Sequence, residues 1–237
     1  MYGMFKNASS FNQSLNSWDV SSVRCMESMF SGAKCFNGNI SKWNISNVNN
    51  MEKIFFECKN FNQPLNNWNV SNIKNMSSIF FGCTKFNQSL NNWDVSSVTN
   101  MSYMFCFAKS FNQPLDSWNV SSVINMFNMF SYTDSLNQNI NNWDVSSVTN
   151  MSYMFYFAIS FNQSLDSWNV SSVTIMNNMF SMAQSFKQPL LTKKVIKGKN
   201  NMYIAWDVSS VTDMGGMFSH AKLFNQPLNS WNVSNVI

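Results

Sequence analysis

Tryptophan recurs along this chain at a fixed interval. The first seven of the nine tryptophans are 25 residues apart, the last two are also 25 apart, and a single interval of 38 residues separates the two groups. A fixed period in this range is typical of repeat proteins, whose units bury their apolar faces against one another. The period predicts one repeat domain over residues 1–237, with about nine repeats and a partial repeat at each end. The tryptophans are Trp18, Trp43, Trp68, Trp93, Trp118, Trp143, Trp168, Trp206 and Trp231.

The middle of each repeat has the apolar spacing of a helix. With tryptophan counted as position 1, apolar residues stand at positions 6, 9, 12, 13 and 16, where one stripe of a helix would place them. Ser96 and Ser97 precede this stripe in the repeat 93–117 and suit a helix N-cap. The pattern predicts one short helix per repeat. In that repeat the stripe is Val98, Met101, Met104, Phe105 and Ala108.

The start of each repeat has the alternation of a strand. In the segment Leu90-x-x-Trp93-x-Val95, tryptophan and valine are two residues apart and so would share one face of a strand. Joined to the helix prediction, this gives an α/β repeat fold. We expect a leucine-rich-repeat-like right-handed solenoid, with one short parallel strand and one short helix in each 25-residue coil.

The repeat resembles a known family. The segment L-x-x-W-x-V-S-x-V is similar to the core of leucine-rich repeats. The consensus unit FNQPLNNWDVSSVTNMSYMF, which residues 86–105 match except for Ser89, resembles the repeat of the BspA-like leucine-rich-repeat surface proteins, a family largely of unknown function. The resemblance covers essentially the whole chain. It implies cell-surface adhesion and partner binding.

Composition argues against most catalytic chemistry. The chain has one histidine, His220, and seven glycines, and it contains neither the GxGxxG nor the GxxxxGK[ST] motif of nucleotide-binding loops. One histidine excludes multi-histidine metal sites and leaves no triad partner in register. Five irregularly spaced cysteines do not form a disulfide framework. We therefore expect a protein that is not an enzyme and that has no cofactor and no metal site.

Position 2 of the repeat is always aspartate or asparagine, and we call these nine residues the Asp/Asn row. In a stacked repeat they form a ladder on the strand face that points away from the core, where they would bind a protein or a glycan. The alternative interpretation is structural: the side chains hydrate the sheet or cap the following turn. The row is Asp19, Asn44, Asn69, Asp94, Asn119, Asp144, Asn169, Asp207 and Asn232.

Residues 191–205 are an insertion within the long interval between tryptophans. It carries Lys193, Lys194, Lys197 and Lys199, and without these four lysines the basic and acidic residues of the chain balance. Insertions in repeat proteins generally loop out on one face, often the binding face. The main interpretation is a tolerated, solvated basic loop; the alternative is docking to an anionic partner. The net charge of +4 is too small to predict nucleic-acid binding.

Two further columns predict structural roles. Position 20 is asparagine in every repeat but one, where Lys187 replaces it, and asparagine at a bend most often bonds backbone groups that a turn leaves unpaired. The methionine and phenylalanine columns fall on the helix stripe, and we expect them in the core.

The sequence gives few indications of location or assembly. No signal peptide and no membrane-spanning segment is visible in it. Neither end carries a polar capping repeat, which leads us to expect a slice of a longer repeat protein. The alternative to ligand binding is a structural role, in which the coils assemble end to end with further repeats or chains.

Overall fold

The computed structural model describes residues 1–197 and 201–237. In these residues the repeats form a stack of coils built from hydrogen-bonded turns, and the strands are β1, Lys193–Lys197, and β2, Asn201–Ala205. The described residues contain no helix, and the coils contain no strand beyond isolated bridges. The prediction of a leucine-rich-repeat-like α/β solenoid with one strand and one helix per coil is therefore wrong.

Consecutive turns replace the predicted helix. In the coil 93–117, the Met104 amide bonds the Met101 carbonyl at 3.2 Å and the Ala108 amide bonds the Phe105 carbonyl at 2.9 Å, each closing a four-residue turn. The third residue of each turn has a left-handed backbone, with φ of 57° at Tyr103 and 60° at Phe107. An i to i+3 bond with a positive φ at the third residue defines a type II turn. Such a residue ends helical geometry, so a helix cannot propagate.

Bonds between coils use the amides that a helix would need. The amides of Met101, Tyr103 and Phe105 donate to carbonyls one coil further along, at 2.8–3.0 Å, and the same pattern recurs through the stack. Parallel bridges join equivalent residues of neighbouring coils, among them Asn100 and Asn125. The turns therefore direct every second amide along the stack. Residues three apart can face the core both in a series of four-residue turns and in a helix. The apolar spacing therefore did not distinguish turns from the predicted helix.

The apolar columns form the core, as predicted. Trp93, Val98, Met101 and Phe105 are between 0 and 3% exposed, and their counterparts in the other inner coils are equally buried. Phenylalanines at positions 13 and 19 stack within most coils, with ring centroids about 4 Å apart, for example 4.1 Å between Phe105 and Phe111. Burial of these side chains is the main driving force for stacking one coil on the next.

Polar side chains also link the coils. From Trp43 onward, each indole N–H donates to a backbone carbonyl of the previous coil, for example from Trp118 to Leu90 at 3.0 Å. The position-20 asparagines form a second ladder, the Asn column, in which Asn87 Oδ1 accepts the backbone amide of Asn112 at 3.0 Å. The prediction that this asparagine bonds backbone is confirmed. Equivalent bonds join consecutive members from Asn12 to Lys187.

The insertion 191–205 contains an antiparallel hairpin formed by β1 and β2. Lys193 pairs with Ala205, Lys194 with Ile204, Val195 with Tyr203 and Ile196 with Met202. Val195 and Tyr203 pack against the core, so the face that they share is the inner face of the hairpin. Lys199, in the predicted basic loop, lies outside the described residues.

Candidate binding surface

The Asp/Asn row begins a turn in every coil. The backbone amide two residues further along donates to the Oδ1 atom of each member, at 2.9–3.3 Å. Asparagine and aspartate form such local turns readily because their side chains reach the second following amide. The row therefore has the capping role that the sequence offered as its alternative interpretation. The members do not lie on strands.

Each side chain of the row has a second polar group. This group is a carboxylate oxygen in the aspartates and an amide nitrogen in the asparagines. The residues are exposed in seven coils, whereas Asn169 and Asp207, near the hairpin, are half-buried. In the seven coils with an exposed member, one polar group of the side chain is available to solvent while the Oδ1 atom holds the backbone.

The serines that follow the row extend its polar character. The hydroxyl of Ser96 donates to Asp94 Oδ1 at 2.6 Å, and Ser121 does the same to Asn119 at 2.8 Å. The hydroxyl and the amide of Ser96 both stabilise the charged carboxylate, which lowers the pKa of Asp94. Asp94 is therefore anionic at neutral pH, and the same two kinds of bond from Ser21 lower the pKa of Asp19.

Two contacts of the hairpin hold it beside this surface. Lys193 Nζ lies 2.6 Å from Asp166 Oδ2, and this hydrogen-bonded pair lowers the pKa of the Asp166 carboxyl. The Tyr203 hydroxyl donates to the backbone carbonyl of Ser167. Asp166 and Ser167 directly precede Trp168. Burial raises the pKa of Tyr203, and the nearby Asp144 carboxylate raises it further. The hairpin therefore lies next to the Asp/Asn row at coils 143–190.

The four lysines of the insertion have different surroundings. Lys193 takes part in the ion pair, whereas Lys194 is exposed on the opposite face of β1. Lys197 ends β1. The structure therefore brings Lys193, paired with Asp166, to the side of the row, whereas Lys194 lies on the face of the hairpin that is turned away from the core.

The cysteines have a structural position. Cys58 and Cys83 occupy the small position 16, and their Sγ atoms lie 2.9 and 3.0 Å from backbone carbonyls of the previous coils. Burial raises the pKa of both thiols well above the ordinary value and raises the pKa of Cys106 to about 12. These thiols are therefore protonated at neutral pH and poor nucleophiles.

Candidate catalytic and metal-binding groups do not converge in the described residues. His220 is exposed and has a left-handed backbone, with φ of 56°. No group of three or more histidine, cysteine, aspartate or glutamate side chains in residues 1–197 and 201–237 has the geometry for a metal ion. In the same part of the chain, no helix could cross a membrane.

Sequence reasoning missed a row of half-buried aromatic side chains on the turn side of the coils. Tyr132 stacks between Phe107 and Phe157, with centroids 4.3 and 4.7 Å apart. All three occupy position 15, which is polar or glycine in the first coils. The sequence does carry a signal for this row, because position 15 is aromatic in three consecutive repeats. Position 15 is not one of the apolar positions from which the core was predicted.

Comparison with protein families identifies the repeat. The family described as "Mycoplasma protein of unknown function, DUF285" matches residues 1–93, 78–194 and 194–237. The chain belongs to this family. The match agrees with the expectation of a repeat protein of unknown function, and it does not name the BspA-like proteins. No curated protein and no solved structure matches the chain.

Proposed function

We propose that the chain is a non-catalytic repeat scaffold that binds a protein or a glycan through the Asp/Asn row. The resemblance of the repeat to BspA-like surface proteins supports an adhesive role. The hairpin lies beside the row at coils 143–190 and adds selectivity there through Lys193.

A single observation carries this proposal. Seven of the nine coils expose their member of the row to solvent, and the neighbouring turn holds the side chain in a fixed orientation through Oδ1. A side chain that is already ordered loses little conformational entropy when it binds a ligand. With coils about 4.8 Å apart, the row extends for about 40 Å. These dimensions suit an extended ligand that offers repeated hydrogen-bonding groups, such as a glycan chain or an extended polypeptide.

The test must separate binding from turn capping. We would replace Asn69, Asp94, Asn119 and Asp144 with serine, because a serine hydroxyl can still accept the amide two residues further along. The fourfold serine variant should stay folded and lose binding to an array of immobilised glycans and proteins. The alanine version of the same variant should also lose stability.

A matched control lies elsewhere on the repeat. Ser110, Ser135 and Ser160 are exposed at position 18 of three consecutive coils. Their replacement with alanine should leave array binding unchanged. If the fourfold serine variant bound as the native chain does, the Asp/Asn row would not be the binding surface.

A second candidate function is association of coils end to end with further repeats or chains. It is supported by an open apolar cleft of about 510 Å³ lined by Met217, Trp231 and Val233, of which Val233 is 51% exposed. Light scattering across a dilution series tests it. A mass that rises with concentration would support association, and a constant monomer mass would contradict it.

A further inference from the structure

The outer face of the hairpin exposes apolar side chains together. Ile196 is 68% exposed, Met202 58% and Ile204 41%. Residues opposite each other in an antiparallel pair share a face, and so do residues two apart on one strand. The pairs Ile196 with Met202 and Lys194 with Ile204 therefore place these three side chains and Lys194 on one face.

This face differs from the surface of the coils. Within residues 5–190, all of which the structure describes, the exposed large apolar side chains are Ile124, 49% exposed, and Ile159, 38% exposed. They occupy positions 7 and 17 of different repeats, so each is isolated. Single exposed apolar residues are ordinary on a soluble protein, whereas a group of them indicates a contact surface.

The inner face anchors the hairpin and prevents it from turning over. Val195 and Tyr203 pack on the core, the Tyr203 hydroxyl bonds Ser167, and Lys193 bonds Asp166. The apolar side chains of the outer face therefore cannot be buried by a simple rotation of the hairpin against its own coil. Their partner must come from outside this part of the chain.

The charge around the outer face selects the partner. Lys194 lies on the outer face itself, whereas Lys193 lies on the inner face and is paired with Asp166. Between Asp166 and Asp207 the sequence contains five lysines and no aspartate or glutamate. The partner must therefore be apolar at the contact and anionic around it. An anionic lipid bilayer and an acidic protein both have this chemistry.

The size of the face favours the bilayer. A stable protein interface buries about 800 Å² on each partner, which three apolar side chains and one lysine do not provide. Binding at a membrane surface has no such threshold, because shallow insertion of apolar side chains and attraction of lysine to anionic lipids act together. We propose that the outer face of the β1–β2 hairpin, formed by Lys194, Ile196, Met202 and Ile204, docks reversibly on anionic lipid membranes.

Sedimentation of the full chain with lipid vesicles tests this proposal. Binding should be at least tenfold stronger to vesicles with about one third phosphatidylserine than to pure phosphatidylcholine, and it should weaken as salt is added. The triple variant Ile196→Ser, Met202→Ser and Ile204→Ser should reduce binding about tenfold or more. Replacement of Lys194 by glutamine should reduce it less. Because these side chains are exposed, the thermal unfolding of each variant should match that of the native chain.

Matched controls come from the coils. Ile124→Ser with Ile159→Ser removes two exposed isoleucines, and Lys85→Gln removes an exposed lysine; neither change should alter vesicle binding. Equal binding to both kinds of vesicle, or none to either, overturns the proposal whatever the variants do. A second probe is immobilised polyglutamate. If the native chain bound polyglutamate but not vesicles, and the triple serine variant lost that binding, the face would be assigned to an acidic protein and the membrane proposal would be overturned.

Discussion

The Asn column allows a direct prediction of how strongly one side chain couples two coils. Asn87 Oδ1 accepts the Asn112 amide at 3.0 Å and the Gln113 Nε2 group at 3.1 Å. Alanine at position 87 removes both bonds and leaves a partly buried backbone donor unpaired. An unpaired buried donor costs about 1–3 kcal/mol, and the middle of this range applies here because the donor is only partly buried and Gln113 can turn to water. We expect Asn87→Ala to lower the free energy of unfolding by about 2 kcal/mol.

Urea unfolding followed by tryptophan fluorescence measures this change, and the melting temperature should fall by about 4–8 °C in a chain of this size. Asn87→Asp is the control, because it keeps an acceptor oxygen at the same place and should cost less than about 1 kcal/mol. Lys187→Asn is the reverse change, since it restores an acceptor for the amide of Asn225 and should stabilise by about 1 kcal/mol. Equal losses in the alanine and aspartate variants would refute the argument that the acceptor matters.

Two further predictions concern the core. Trp118→Phe removes an indole that is 3% exposed and bonded to the Leu90 carbonyl at 3.0 Å, so it should destabilise by about 2–3 kcal/mol in urea unfolding, and a smaller loss is expected for the half-buried Trp18→Phe. A loss of the same size at both positions would contradict this. The buried thiols have raised pKa values, so their stabilising effect is complete below the ordinary pKa of 9.0 and decreases as pH rises above it. At pH 10, ionisation of each thiol in the unfolded chain should lower the free energy of unfolding by about 1.4 kcal/mol. Replacing all three cysteines with alanine should flatten the dependence of this free energy on pH, and an unchanged slope would refute the prediction. These thiols are Cys58, Cys83 and Cys106.

The core could be predicted from sequence, but the backbone that carries it could not. Burial requires apolar residues at recurring positions whether a chain of turns or a helix presents them, so Met101 and Phe105 were correctly placed inside while the helix was wrong. The positions of the glycines are a sequence signal for the turns. Gly3 and Gly216 stand at position 11, and Gly32 and Gly82 at position 15, where every coil needs a left-handed backbone. Tyrosine and phenylalanine at these positions in the middle coils obscure it.

The candidate surface was predictable to a similar extent. The fixed period aligns the Asp/Asn row coil over coil, and the serine two residues after every member is typical of a local turn. The orientation of the hairpin was not predictable. It depends on contacts between Lys193 and Asp166 and between Tyr203 and Ser167, which are 27 and 36 residues apart in the chain. Contacts between residues so far apart in the chain arise from the stacking of coils, and they leave no local pattern in the sequence.

The most direct test of the account is a series of chains in which one, two, three and then four neighbouring members of the Asp/Asn row are replaced by serine. Binding of each to the same glycan and protein array would be measured together with its thermal unfolding. We expect affinity to fall with each substitution while the melting temperature stays nearly constant, because each coil contributes one outward group and serine retains the turn bond. Constant affinity throughout the series, or an affinity that falls only together with the melting temperature, would contradict a binding role for the row.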